Sequence, residues 1–300
     1  MTAKIATLWE RIKFERRSRK KVMLSRSKAG NFGVFLFLLA ISAFMILPMI
    51  YSVVQSLKPI DEIFAFPPRF FVRHPTFDNY KQLFKLADNL WVPFSRYLFN
   101  SIAISTVGTL LYLVIATMAA YPLAKAKSTA MYIISQAIVM AMLFRGDTTA
   151  IPQYIIIAKL GMVDTYYAMI LPTLASTMGV YLIRQFIVTA IPDETLEAAR
   201  IDGAGEYKIF FRIVIPSVKP ALLTLVIFTF QTMWNSTGTQ YIFSEELKQL
   251  PSVLSSISAG GLARSGASAA VSVVMMIPPI AVFLISQSSV METMTHSGLK

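Results

Sequence analysis

Charged residues are absent from six long stretches of this 300-residue chain, at 29–57, 97–124, 128–144, 165–183, 220–244 and 267–291. About 17–25 helical residues cross the roughly 30 Å of a bilayer's hydrocarbon, so each stretch is long enough to span it. The third is the shortest, and its apolar character extends past Arg145 toward Ile151. Backbone groups in lipid must bond within their own segment or within a closed barrel. The strict alternation of a barrel strand is missing, so the stretches read as helices. Composition agrees: 15% of the residues are charged, against about 25% in soluble domains, which leaves much of the surface facing lipid. The expected fold class is an all-α polytopic membrane protein with six transmembrane helices.

Charge placement orients the spans. Ten Lys/Arg fall in the first 28 residues, against Glu10 and Glu15. The positive-inside rule therefore places the N-terminus in the cytoplasm, and six crossings return the C-terminus there. This topology puts 18 of the 28 Lys/Arg inside and nine outside, with Arg145 inside a span. The excess of +12 sits mostly in the N-terminal block and accompanies no nucleic-acid-binding pattern, so a nucleic-acid partner is excluded. Ile5, Leu8, Trp9 and Ile12 recur at helical spacing among basic residues. They fit a helix lying on anionic lipid of the inner leaflet, or equally a basic tail that only sets topology. The first apolar stretch is too long for a cleaved signal peptide and reads as a retained span. Without cysteine the chain has no disulfide or thiolate chemistry.

Between the first two spans, 58–96 is an outer segment. It opens with Phe66-Pro67-Pro68 and continues into an amphipathic Tyr80–Phe84. Span three is expected to run from 131 to 151 and to break at Pro152, span four from 166 to 187, and span five from 220 to 235. The longest inner loop, 189–219, is a helix–turn–helix by pattern. Pro192, Asp193 and Glu194 suit a helical first turn, where amide donors are unpaired and the dipole is positive. Two turns follow to Ile201. Gly203 can then take the left-handed conformation that ends a helix. A second helix, 206–215, spaces Ile209, Phe210, Ile213 and Val214 to bury one face, and Pro216 and Pro220 end it.

That loop carries Glu197-Ala198-Ala199, a Gly at 203 after three residues, and Ile213-Val214-Ile215-Pro216 after nine more. The pattern resembles the EAA loop of ABC-importer permeases, with Ile215 where the family has Leu. Phe66-Pro67-Pro68, Asn79-Tyr80, Tyr97, Asn100-Ser101, Ile151-Pro152, Leu171-Pro172, Trp234-Asn235 and Leu250-Pro251 extend the resemblance to the carbohydrate-uptake, maltose-type branch over 33–291. The resemblance implies a type I ABC-importer permease fold in a bacterial cytoplasmic membrane, with the EAA loop as a cytoplasmic coupling helix. It implies a basic cytoplasmic segment 1–30, a permease domain 31–291 containing the loop 189–219, and a cytoplasmic tail 292–300. Implied partners are a second, homologous permease, two ATPase subunits and an extracytoplasmic sugar-binding protein. Glu197, Ala198, Ala199, Asp202, Gly203 and Ala204 would meet the ATPase. No Gly-Lys-Ser/Thr occurs in the chain, so it has no phosphate-binding loop. No cofactor is expected in this chain, and ATP and Mg belong to the ATPase.

For the substrate path the sequence offers Arg145, and the polar and aromatic group Gln231, Trp234 and Asn235 at the outer end of span five. An Arg in a span faces a cavity or a partner because its charge is costly in hydrocarbon. Arg145 either meets a saccharide, or it and Asp147 satisfy each other or a neighbouring subunit near the interface. Trp234 either stacks on a sugar or anchors the interface. No catalytic or metal site is expected: His74 and His296 fall on opposite faces of the membrane, which excludes a paired-histidine metal site in one protomer. An ion-coupled secondary transporter is the alternative, with Asp147 as its one acidic candidate near a span.

Overall fold

The computed structural model describes residues 28–88, 92–144, 146–261 and 264–297. The basic N-terminal block, with Ile5, Leu8, Trp9 and Ile12, lies outside the described residues, as does Arg145. Two compact units divide the chain, 1–51 and 52–300. The first is represented by most of helix α1, Lys28–Ser56. The second holds the remaining helices.

Helices follow one another along it: α2 Ile60–Ile63, α3 Asp78–Asp88, α4 Phe94–Lys125, α5 Thr129–Ala141, α6 Gly146–Lys159, α7 Tyr166–Leu174, α8 Thr177–Ala190 and α9 Asp193–Ile201. Then come α10 Glu206–Ser217, α11 Lys219–Trp234, α12 Leu250–Ser258 and α13 Ser265–Ser297. Among the described residues there is no strand. Among the described residues, four helical segments are long and apolar enough to cross a membrane: Gly30–Ser56, Phe94–Lys125, Tyr166–Ala190 and Ser265–Gln287. The pair α10 and α11, bent by 74°, passes the same test only when the two are taken together as one broken segment.

The expected third span is split. It breaks at Met142–Phe144 rather than at Pro152, which sits inside α6. Leu143 and Phe144 donate their N–H groups only three residues back, to Met140 and Ala141. Such turns tighten a helix end, and Gly146 beside them weakens continuation. At 13 residues α5 is about 20 Å long, short of a full crossing alone. The final helix runs on to Ser297, so the expected tail from 292 is helical through that residue.

Helix α4 is the packing centre, lying against α7, α8 and α11. Its buried face recurs every three or four residues and, Ile104 apart, these positions are small or polar: Asn100, Ser101, Ile104, Ser105, Gly108, Thr109, Tyr112, Ala116 and Ala120. Lipid chains are as apolar as leucine, so hydrophobic burial cannot drive helices together in a bilayer. Close backbone approach and hydrogen bonds do. The opposite face, with Phe99, Leu110, Val114 and Met118, stays exposed.

One contact shows how tight the packing is. The Tyr112 hydroxyl donates to Ser176 O at 2.7 Å and accepts from Gly179 N at 2.9 Å, satisfying an orphan donor in the first turn of α8. A Cβ at Gly179 would lie 2.4 Å from that hydroxyl and 2.7 Å from Leu225 Cδ1. Gly179→Ala is expected to destabilise the protein by about 1–3 kcal/mol through overpacking, read as a lower unfolding midpoint in detergent. An unchanged midpoint would mean that α4, α8 and α11 do not meet here.

Candidate coupling loop and transport cavity

The loop 189–219 is held beneath α4, α8 and α11 by a cluster of buried side chains: Ile191, Leu196, Ile209, Phe210, Val214 and Val218 pack with Ala120, Ile187 and Ala221. Helix α9 begins directly after Pro192, with Asp193 and Glu194 in its first turn. It ends as the sequence requires. Gly203 takes φ +78°, its N–H bonds Arg200 O at 3.0 Å, and Ala204 N bonds Ala199 O at 2.9 Å. That pair of bonds is the Schellman closure, available because glycine has no Cβ to clash in the left-handed region. Leu196 points into the core, while Ala199 and Ala204 are half-buried and Glu197, Ala198, Asp202 and Gly203 are exposed. The exposed set forms one outward face of α9 and its turn.

Helix α10 follows Gly205 and contains a π turn at Phe210–Val214, where Ile215 N–H reaches back five residues to Phe210 O. Pro216 supplies the cause. It has no N–H for the carbonyl four residues back, so the ladder shifts register ahead of it. Helix α10 ends at Ser217, after Pro216 rather than at it, and Val218 forms the elbow into α11.

Polar contacts fasten the loop to α4. Lys125 Nζ donates to Asp193 Oδ1 at 2.7 Å and to Ile191 O at 2.6 Å. Glu206 uses both carboxylate oxygens: Arg200 Nε donates to Oε1 and the Tyr121 hydroxyl to Oε2, each at 2.7 Å. The Lys125 ammonium holds the Asp193 carboxyl below the usual carboxylate range. A depressed carboxyl contributes stability that is present above its unfolded pKa and lost as pH falls through the folded one. The Asp193 tie therefore holds at neutral pH and opens only in acid.

On the far side of this unit a cavity of about 590 Å³ is lined by Gln231, Asn235, Ser236, Gln240, Tyr241 and Thr173, with Phe228 and Met169 as apolar walls. A second cavity of about 310 Å³ adjoins it, sharing Pro172, Thr173, Phe228 and Thr232, and reaches Tyr112 and Gly179. Gln231 and Asn235 share a face of α11 because they are four residues apart. Trp234, expected beside them in the path, is instead fully buried. Its indole N–H donates to Met275 O at 2.9 Å and its ring stacks on Phe230 with centroids 5.8 Å apart. Phe230 and Trp234 lie on a neighbouring face that meets α13, so this tryptophan fastens α11 to α13 and lines neither cavity.

Loops frame the cavity mouth. Asp164, at φ +61°, accepts Phe243 N at 3.0 Å and Ser244 N at 2.9 Å on Oδ1, and the Ser244 hydroxyl on Oδ2. These donors hold its carboxyl below the usual range. Tyr241 donates to Gln153 Oε1 at 3.1 Å and stacks on Tyr154. Asn100 Nδ2 donates to Glu246 O at 2.8 Å and Lys248 O at 2.9 Å, its Oδ1 accepts from Tyr166, and Ser101 Oγ accepts Leu250 N at 2.8 Å. The motif pairs Asn79-Tyr80, Asn100-Ser101 and Leu250-Pro251 thus do structural work: Asn79 likewise ties Ser56 O and Lys58 O at 2.8 and 2.7 Å.

Apolar helices of membrane-spanning length around a polar cavity lined by α7 and α11 are the architecture of a transporter permease. The chain belongs to the family described as binding-protein-dependent transport system inner membrane component, whose sequence profile matches residues 129–290. It is 34% identical over 220 residues to protein LplC of Bacillus subtilis (strain 168), covering 71% of this chain and 70% of that one. It is 29% identical over 269 residues to the arabinooligosaccharides transport system permease protein AraQ of the same organism, covering 88% and 94%. Its fold matches a chain of a bacterial ABC transporter that imports the acidic polysaccharide alginate, with TM-score 0.72, 22% identity, and 88% and 98% coverage.

Proposed function

We propose that this chain is one permease subunit of an ATP-driven importer for a saccharide, and that α9 is its coupling helix. The observation that carries this reading is the outward face of α9: Glu197, Ala198, Asp202 and Gly203 are exposed on a helix whose other face is locked into the core by Leu196. Small residues on a projecting turn fit a cleft in another protein. Glu197, Ala198, Ala199, Asp202, Gly203 and Ala204 dock there on a separate ATPase, which holds ATP and Mg.

The rest of the assembly follows from the same reading. Six crossings, with α5 and α6 together forming the third, leave both termini and the loop 189–219 in the cytoplasm. A second permease completes the pore. An extracytoplasmic binding protein delivers substrate from above; a structural neighbour is an alginate importer seen with its pentasaccharide-bound periplasmic protein. Gln231 and Asn235 offer amides to saccharide hydroxyls in the cavity, and Arg145 remains a further candidate from the sequence alone. The chemistry of the lining supports a sugar, since amides and hydroxyls pair with hydroxyl groups in both donor and acceptor roles. The relatives add weight: AraQ is named for arabinooligosaccharides, and the melibiose/raffinose/stachyose import permease MelC is 30% identical over 207 residues.

Reconstitution with its co-expressed ATPase, permease partner and binding protein tests this reading. Uptake is expected to require ATP and to survive collapse of ion gradients. Uptake that follows an ion gradient and ignores ATP would instead establish secondary transport.

A further inference from the structure

We propose that α4 is the rod through which the coupling loop moves the pore, and that Glu206, Tyr121 and Arg200 form the clamp that makes the joint stiff. This rests on the reading of α9 as the coupling helix and adds to it the residues that transmit its motion.

The problem the loop must solve is mechanical. Helices α9 and α10 are joined through Gly203-Ala204-Gly205, and Gly203 sits in the left-handed region. Glycine at a junction confers conformational freedom. A push on α9 across such a joint would be absorbed by rotation there. Glu206 removes that freedom. It is the first residue of α10, and one carboxylate oxygen takes Arg200 from the last turn of α9 while the other takes Tyr121 from the last turn of α4, both at 2.7 Å. A single carboxylate thereby ties three helices. At the opposite end of α9, Lys125 ties Asp193 and Ile191 O to the final residue of α4. Both ends of α9 are therefore fixed to the last turn of one helix.

Stability does not account for this arrangement. Arg200 and Glu206 are each about half exposed, and exposed ion pairs contribute about 0–1 kcal/mol. The geometry instead suits positioning. Helix α4 has 32 residues, a rod of about 48 Å at 1.5 Å per residue. Near its other end Asn100 holds the backbone of Glu246 and Lys248 and accepts from Tyr166 at the start of α7. A displacement of α9 thus reaches the loop framing the cavity and the helix walling it along one continuous element. This is a physical path of packed and hydrogen-bonded groups.

The test uses the assembled importer in liposomes and reads substrate molecules transported per ATP hydrolysed, beside the amount of ATPase that co-purifies. Tyr121→Phe removes one hydroxyl. Glu206→Gln keeps an oxygen for Tyr121 but drops the charge facing Arg200. Each is expected to lower the transport-to-hydrolysis ratio at least about fivefold, the lower end of ordinary coupling between sites, with ATPase co-purification at the parent level. Arg200→Lys, which keeps the charge facing Glu206, is expected to retain most of the ratio. A merely structural role would reduce assembly or thermal stability and leave the ratio of the assembled fraction unchanged. Parent ratios in both Tyr121→Phe and Glu206→Gln, with assembly intact or reduced, would overturn the clamp. Failure of the unmodified chain to retain any ATPase would overturn the coupling-helix reading itself and the clamp with it.

Discussion

An Ala198→Arg variant is expected to abolish uptake while leaving the permease folded. Ala198 is exposed on the outward face of α9. Its smallness matters only if another protein closes over it. A long cationic side chain would then stand in the middle of the docking surface. Changes at central interface positions cost about 2 kcal/mol or more, which is about 30-fold in affinity. Co-purification of the ATPase should fall with uptake, and the unfolding midpoint in detergent should stay within a degree or so of the parent, as for most surface substitutions. Normal uptake by the variant would remove this face from the ATPase contact. Gly203→Ala is a weaker companion. Its φ of +78° costs an alanine about 1–2 kcal/mol, so it should shift the end of α9 and reduce coupling in part.

The second large effect belongs to the cavity. Replacing Gln231 and Asn235 together by alanine removes two amides from one wall. Each lost hydrogen bond is worth about 0.5–1.5 kcal/mol, so the pair should raise the half-saturating concentration of substrate about 5- to 150-fold. Substrate-stimulated ATP hydrolysis should move with it, whereas ATPase co-purification should not change. Trp234→Phe provides the contrast. It deletes the indole donor to Met275 O, so it should lower thermal stability by about 1 kcal/mol and leave substrate concentration dependence alone. If Trp234→Phe raised the half-saturating concentration and the double alanine variant did not, the assignment of faces on α11 would be reversed.

The loop 189–219 is readable because its signals are local. Pro192, the acidic first turn, Gly203 and the Ile209/Phe210/Ile213/Val214 spacing each act within a few residues; the first helix, the left-handed turn and the buried Ile209, Phe210 and Val214 appear where those rules put them, whereas Ile213 is only half-buried and the second helix runs past Pro216 to Ser217. The long apolar stretches were equally legible as helices. What escaped depends on partners distant in sequence. Trp234 stands beside Asn235 in the chain, but the 100° step between neighbouring helical residues puts them on different faces, and only the position of α13 decides which face is wet. The third span looked continuous because apolar composition runs through Met142–Phe144, whereas the turn there is a backbone event with no charge to mark it. Glu206 and Tyr121 are 85 residues apart. Their meeting has no local signature beyond an acidic residue opening the second loop helix. Asn79, Asn100 and Ser101 were noticed as motif members, and the reason for them, the tethering of loop carbonyls and an amide, needed the fold.

The central claim is that the face of α9 lies in the cytoplasm against an ATPase. Because the chain has no cysteine, an Ala198→Cys substitution supplies a single thiol at that face. The rate of its modification by a membrane-impermeant maleimide should be measured in intact cells, in inside-out vesicles, and in the same vesicles stripped of ATPase. The expected result is no labelling from outside, slow labelling in inside-out vesicles, and rapid labelling once the ATPase is removed. Labelling in intact cells, or a rate that ignores the ATPase, would contradict it.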